Sequence, residues 1–110
     1  MNKKLNALVT GGTRGIGQAI AKKLIDEGHY VIITGTKLSK KIPSGCDFEQ
    51  IDFFDENTTK DFIKFLEKQP IDILVNNAGI NKIDKFVEIK ESDFDEILRI
   101  NLKIPFLLSQ

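Results

Sequence analysis

The chain has 110 residues, enough for one compact domain and too few for two. A composition of 41% hydrophobic and 29% charged residues, with eight Gly and three Pro, excludes the disordered and collagen-like classes. Sixteen basic residues balance sixteen acidic ones, and a net charge of zero argues against a nucleic-acid partner and against a polybasic membrane anchor.

In chain order, residues 6–10 (Asn-Ala-Leu-Val-Thr) are a short apolar run ending in glycines, which reads as a buried strand. Over 15–27 the apolar residues Ile16, Ile20 and Leu24 recur every four positions with Ala19 beside them, which predicts an amphipathic helix capped by Gly28. Residues 30–34 (Tyr-Val-Ile-Ile-Thr) are β-branched, aromatic or apolar on both faces, as in a central parallel strand with Tyr30 in the core. The stretch 37–47 lacks a clear period and reads as a loop with at most one helical turn. A third strand is predicted over 48–53. A helix is predicted over 58–68, with Phe62, Phe65 and Leu66 on one side and Thr58 with Asp61 as a capping box. Pro70 ends it, and 71–75 is the fourth strand. Ser92 with Asp95 is a second capping-box pair, opening a helix whose stripe is Phe94, Ile97, Leu98, Asn101 and Leu102 and which runs on to Gln110. Strands alternating with helices imply an α/β fold. Its core is a doubly wound parallel sheet of about four strands, with right-handed crossovers and helices on both faces.

One cysteine, Cys46, excludes an intramolecular disulfide framework and fits a reducing compartment. No apolar run is long enough for a bilayer, and the first six residues do not read as a signal peptide, so a soluble cytoplasmic protein is expected. The zero charge conceals an asymmetry. Through Lys41 eight basic residues face two acidic ones, and from Ile42 onward eight face fourteen, giving +6 and then −6. Such segregation is common in solvated faces; its functional reading is that the first half receives an anion.

Between the first strand and first helix stands Thr10-Gly11-Gly12-Thr13-Arg14-Gly15-Ile16-Gly17. A helix N-terminus carries unsatisfied N–H groups and partial positive charge, and so attracts phosphate. Glycines let the chain turn and let a pyrophosphate approach the backbone. A tight βα turn without ligand is the plainer alternative, but the position in the first βαβ unit favours a dinucleotide. The glycines at 11, 15 and 17 follow G-x-x-x-G-x-G instead of G-x-G-x-x-G, and the Lys-Ser/Thr ending of a P-loop is missing.

The motif Thr10-Gly11-x-x-x-Gly15-Ile16-Gly17 resembles the cofactor loop of the short-chain dehydrogenases/reductases, and Asn76-Asn77-Ala78-Gly79 after the fourth strand resembles their second hallmark. The likeness covers the whole chain. It implies a Rossmann-like fold in which Gly11 to Gly17 and Asn76 to Gly79 bind a nicotinamide dinucleotide. By the same resemblance Asp52 accepts from the adenine amino group, the Phe53 N–H binds the ring, and Asn101 is the asparagine of the catalytic tetrad. The stretches 7–17 and 72–80 are most similar to the 3-oxoacyl-thioester reductase branch. The implied activity is hydride transfer between NADP(H) and a carbonyl substrate or acyl thioester, in a protein that pairs as a homodimer or homotetramer through the helix beginning near Asn101.

NAD-specific Rossmann proteins place an acid at the end of the second strand to accept from the ribose 2′-hydroxyl. Here that corner reads Thr34-Gly35-Thr36-Lys37. A carboxylate would repel a 2′-phosphate, whereas the Thr36 hydroxyl and Lys37 would hold one. Arg14 resembles the basic residue of NADP-preferring members. NADP(H) is therefore expected over NAD(H). Asp52 could instead be a strand-end turn residue, and Asn76 and Asn77 could merely make a turn.

Asn101 lies on an apolar stripe, where an amide lacking partners would cost a few kcal/mol. It either fastens two backbone segments together or, as the resemblance implies, supports a water-linked proton path to a lysine. Pro105 has no N–H for the Asn101 carbonyl four residues earlier, so that carbonyl is freed or the helix kinks.

The family's chemistry also needs a Tyr-x-x-x-Lys pair and a serine. The one tyrosine, Tyr30, is followed four residues on by Thr34, so residues 1–110 are expected to be an incomplete dinucleotide-binding domain whose catalytic half lies outside this chain. A non-catalytic dinucleotide-binding module is the alternative. An S-adenosylmethionine enzyme would want an acid where Thr36-Lys37 stand. His29 has no partners at ligand spacing, Cys46 reads as a loop thiol, and Asp93, Asp95 and Glu96 read as helix-start charge, so no metal site is expected.

Overall fold

The computed structural model describes residues 3–38 and 42–110. Strands β1 (Asn6–Val9), β2 (Tyr30–Gly35), β3 (Cys46–Gln50) and β4 (Ile73–Val75) form one parallel sheet in the order β3-β2-β1-β4. Helix α1 (Gly15–Asp26) joins β1 to β2 and α2 (Glu56–Glu67) joins β3 to β4. After β4 come a single 3₁₀ turn at Phe86–Glu88, helix α3 (Glu91–Leu98), a π-helical turn at Arg99–Lys103, and α4 (Ile104–Ser109). The sheet is α/β and doubly wound, as expected. Part of the loop predicted over 37–47, residues 39–41, falls outside the described residues.

Successive side chains of a strand point to opposite faces, so an apolar run covered on both sides feeds two cores. Ala7, Val9, Val31 and Ile33 pack with Ala21 of α1 on one face. Leu8 meets Phe62 of α2 and Ile100 and Ile104 of the last helical stretch on the other, with Ile51 and Phe53 closing that core. Among the described residues no helix is long and apolar enough to cross a membrane.

Several local expectations are corrected. Tyr30 is 59% exposed, not core: it begins β2 at the sheet's amino edge, beyond the helices, and the Lys4 ammonium lies 5.3 Å from its ring centroid. Ile16 is 74% exposed because the first turn of α1 projects past the sheet. The third strand runs from Cys46, which therefore opens a strand and is not a loop thiol, to Gln50, where its partner β2 ends at Gly35; the Ile51 N–H donates to the Gly35 carbonyl at 2.9 Å and the chain then turns. Helix α2 starts earlier than predicted because Asp55, not Thr58, caps it, its Oδ1 accepting from the Thr58 N–H at 3.0 Å. The second capping box is absent: α3 starts at Glu91, ahead of Ser92. The end of α1 follows expectation, with the Gly28 and His29 N–H groups donating to the Ile25 and Leu24 carbonyls at 2.8 and 3.0 Å.

The predicted stripe of the last helix is also turned around. Phe94, Leu98 and Leu102 face solvent, while Ile100 and Ile104 are buried. The π turn explains part of this, since the Ile104 N–H reaches back five residues to the Arg99 carbonyl and shifts the register of every later side chain.

Candidate functional site

The carboxyl ends of all four strands lie on one side of the sheet. β1 sits between β2 and β4, so the winding direction reverses beside it, which is where open α/β sheets hold ligands. The glycine loop leaves β1 there. Gly11 and Gly15 have positive φ, 67° and 56°. Gly17 has no room for a side chain, because a Cβ would run into the Gly11 carbonyl and the Asn77 amide. The loop is tied to β2 by the Gly11 N–H to Thr34 Oγ1 (3.2 Å) and by the Gly12 N–H to the Thr34 carbonyl (3.0 Å). Arg14 occupies the N-cap of α1, exposed and without a side-chain cap bond, and no acidic residue lies in that helix's first turn. Gly15 opens onto empty space. This end of α1 therefore suits a phosphate in charge and in room.

Thr10 joins the loop to the segment after β4. It is buried, and its Oγ1 accepts from the Asn77 and Ala78 N–H groups at 3.1 and 3.0 Å while donating to the Val75 carbonyl at 3.4 Å. Asn77 returns the contact, its Nδ2 donating to the Gly11 carbonyl at 3.1 Å. Asn76 points elsewhere: it is exposed, with Nδ2 at 3.5 Å from the Ser109 hydroxyl.

At the end of β2, Thr36 and Lys37 are exposed, and the Thr36 carbonyl accepts from Gln50 Nε2 at 3.2 Å. Neither Lys37 nor Arg14 has an ion pair among the described residues. Beyond β3, Asp52 is exposed and its Oδ1 accepts from the Phe54 N–H at 2.9 Å. The Phe53 ring is buried edge-on against Phe62, with centroids 6.1 Å apart.

Asn101 sits in the π turn, exposed and not buried as the stripe had implied, yet fully engaged. Its Oδ1 accepts from the Ile80 N–H at 2.9 Å and its Nδ2 donates to the Ile80 carbonyl at 2.8 Å. The amide thus pairs with Ile80 as a neighbouring strand would, and fixes the chain just beyond Gly79. The helix departs from α geometry immediately before Pro105, as its missing N–H predicts.

Glycine loop, β2 corner, Asp52 turn and Asn77 segment thus share one rim of the sheet. A family model described as "short chain dehydrogenase" matches residues 5–110. The chain belongs to the short-chain dehydrogenase family. It is 38% identical over 118 residues to the 3-oxoacyl-(acyl-carrier-protein) reductase FabG of Aquifex aeolicus, covering 94% of this chain and 47% of that protein. A Serratia marcescens short-chain dehydrogenase/reductase mutant superimposes with TM-score 0.83 at 30% identity, covering 96% of this chain and 48% of the other. A 4-hydroxyisoleucine dehydrogenase complexed with NADH gives TM-score 0.84 at 28% identity, covering 96% and 47%. The chain spans about half the length of the curated relatives it matches.

In this short-chain dehydrogenase the glycine loop, Thr36, Lys37, Asp52, Asn77, Ala78 and Gly79 gather at the rim. Asn76 turns toward α4, and the Asn101 side chain is spent on Ile80. Two structural residues of the site escaped sequence reasoning. Thr34 was visible only as a strand residue. Arg99 carries no local mark of its role beyond standing two positions before Asn101.

Proposed function

We propose that the whole protein is an NADP(H)-dependent carbonyl reductase acting on a ketone or a 3-oxoacyl thioester, with residues 1–110 as its dinucleotide-binding part. The observation that carries the cofactor choice is the β2 corner: no carboxylate ends that strand, Lys37 follows it, and neither Lys37 nor the exposed Arg14 of the glycine loop has an ion pair among the described residues. A monoanionic carboxylate there would repel the 2′-phosphate, while guanidinium and ammonium groups form charge-assisted hydrogen bonds with it. NADPH, when bound, supplies the hydride.

The chain's own groups divide the work of holding it. The first-turn N–H groups of α1 and the glycine loop take the pyrophosphate, with Gly12, Thr13 and Ile16 forming the loop wall. Asp52 takes the adenine amino group through Oδ2, its Oδ1 already accepting from Phe54, and the Phe53 N–H meets the ring. Asn77 braces the glycine loop from the side, and Ala78 and Gly79 leave room above it. Asn101 spends its side chain on Ile80, so its main-chain carbonyl, to which Pro105 can offer no N–H, is the group that holds a water of the proton path. The carbonyl substrate, the serine and the tyrosine–lysine pair belong to the remaining half. A cytoplasmic homodimer or homotetramer is the expected state.

Titration of the full-length polypeptide with NADPH and NADH tests the cofactor choice. At least tenfold tighter NADPH binding is expected, and Lys37→Glu should remove most of that preference. Equal or reversed affinities would overturn the choice. Turnover assays with 3-oxoacyl thioesters and simple ketones test the reaction, and the 110-residue chain alone should show none.

A further inference from the structure

The observation is a chain of hydrogen bonds through one peptide group. Arg99 is the first residue of the π turn, two positions before Asn101. Its Nε donates to the Phe53 carbonyl and its Nη2 lies 3.5 Å from Thr59 Oγ1. The Phe53 carbonyl and the Phe54 N–H belong to the same planar amide. That N–H donates to Asp52 Oδ1 at 2.9 Å. The guanidinium therefore holds one end of an amide whose other end holds the Asp52 carboxylate.

We propose that Arg99 is a positioning residue for Asp52, fixing through the Phe53–Phe54 peptide the carboxylate oxygen that selects a 6-amino purine. The proposal rests on the reading that Asp52 faces the adenine. Its physical basis is that an amide bonded at both ends cannot rotate without losing both bonds, and that a cation at the oxygen polarises the N–H at the other end. Thr59 completes the seat. It is buried, and its hydroxyl hydrogen goes to the Asp55 carbonyl at 2.8 Å, leaving lone pairs to accept from Nη2. Among the described residues Arg99 has no ion pair, so its donors are used on backbone and hydroxyl oxygens. With Oδ1 accepting from Phe54, Oδ2 is the oxygen that this exposed side chain offers to a base. A 6-amino group donates to that oxygen, and the 6-oxo group of hypoxanthine opposes it.

The test compares affinities of the full-length protein for NADPH and for its hypoxanthine analogue. The wild type should favour adenine about tenfold or more. Arg99→Met keeps the apolar stem but has no donor, and should lower that ratio at least about fivefold. Arg99→Lys, which can still donate to the Phe53 carbonyl, should fall between. In an Asp52→Ala background Arg99→Met should leave the ratio unchanged, because the two act in series. If Arg99→Met weakens both cofactors equally, Arg99 merely ties the helix down and the proposal fails. If the wild type does not discriminate, the Asp52 reading fails and takes the proposal with it. Should Arg99→Met not fold, Arg99→Lys carries the same comparison with the same outcomes.

Discussion

The Thr10 hydroxyl accepts from two consecutive amides, Asn77 and Ala78, and so holds the segment after β4 against the glycine loop. Thr10→Val keeps the shape and removes the acceptor, leaving the Ala78 N–H without its oxygen. A loss of about 1–3 kcal/mol is expected in urea unfolding, with Thr10→Ser close to wild type. If Thr10→Val proves as stable as the wild type, the staple contributes nothing. Gly17 makes the neighbouring requirement, since any Cβ there meets the Gly11 carbonyl; Gly17→Ala should cost about 1–3 kcal/mol through overpacking. Cys46 has a different character. Burial, and secondly the Asp47 carboxylate, push its thiol up, so the neutral form dominates at physiological pH. The sign follows: this contribution to stability is complete below the thiol's unfolded pKa and is lost as pH rises through the higher folded one. Iodoacetamide at pH 8 should therefore modify the folded chain more slowly than the urea-unfolded chain, and equal rates would contradict the shift.

Elements were legible where a pattern had one physical cause. Short apolar runs that end at glycines read as strands covered on both faces, and β1 and β2 follow. Boundaries were harder, because they depend on partners far away in sequence: β3 stops where Gly35 stops, and nothing within 48–53 records that. Caps illustrate the same competition. Asp55 and Thr58 both precede the helix pattern, and the chain uses the aspartate because the turn bonded from the Asp55 N–H to the Asp52 carbonyl (3.1 Å) sets its side chain over the first turn. Asp55→Ala should thus cost about 0.5–2 kcal/mol, while Thr58→Ala, which leaves the backbone N–H in place, should cost far less. Chemical denaturation of the two variants decides it, and the reverse order would restore the Thr58 box. The site divides likewise. Glycine spacing and the Asn-Asn-Ala-Gly word carry local geometry and could be read directly. The Asn101 stripe misled because Phe94 and Leu98 already face outward in α3 and because a π turn, which side-chain periodicity does not encode, shifts the register of the side chains after it. Pro105 was the one local sign of that departure.

At the scale of the whole molecule the outward-facing row has a consequence. Phe94, Leu98, Leu102 and Phe106 stand four residues apart and are 41% to 65% exposed, with Leu98, Leu102 and Phe106 lining one shallow groove beside Asp95, Arg99 and Lys103. An apolar row on the outer side of a helix whose inner side already fills the core is a surface for another surface to cover, and the homodimer or homotetramer proposed above would use it. In such a dimer an antiparallel, isologous contact would set Asp95 of one copy against Lys103 of the other along the margin. The same helical stretch carries Arg99 to the Asp52 turn and Asn101 to Ile80, so pairing would brace both ends of the dinucleotide rim from behind. In the full-length protein Leu98→Asp with Leu102→Asp should bury carboxylates without counter-charges at the centre of the contact and convert the oligomer to monomer at micromolar concentration in sedimentation velocity. Because Ile100 and Ile104 on the inner side are untouched, the monomer should keep its fold and lose cofactor affinity only about tenfold or less through the loosened rim. An unchanged sedimentation coefficient would exclude this face as the interface. Dissociation with unchanged affinity would keep the interface and remove its brace on the site.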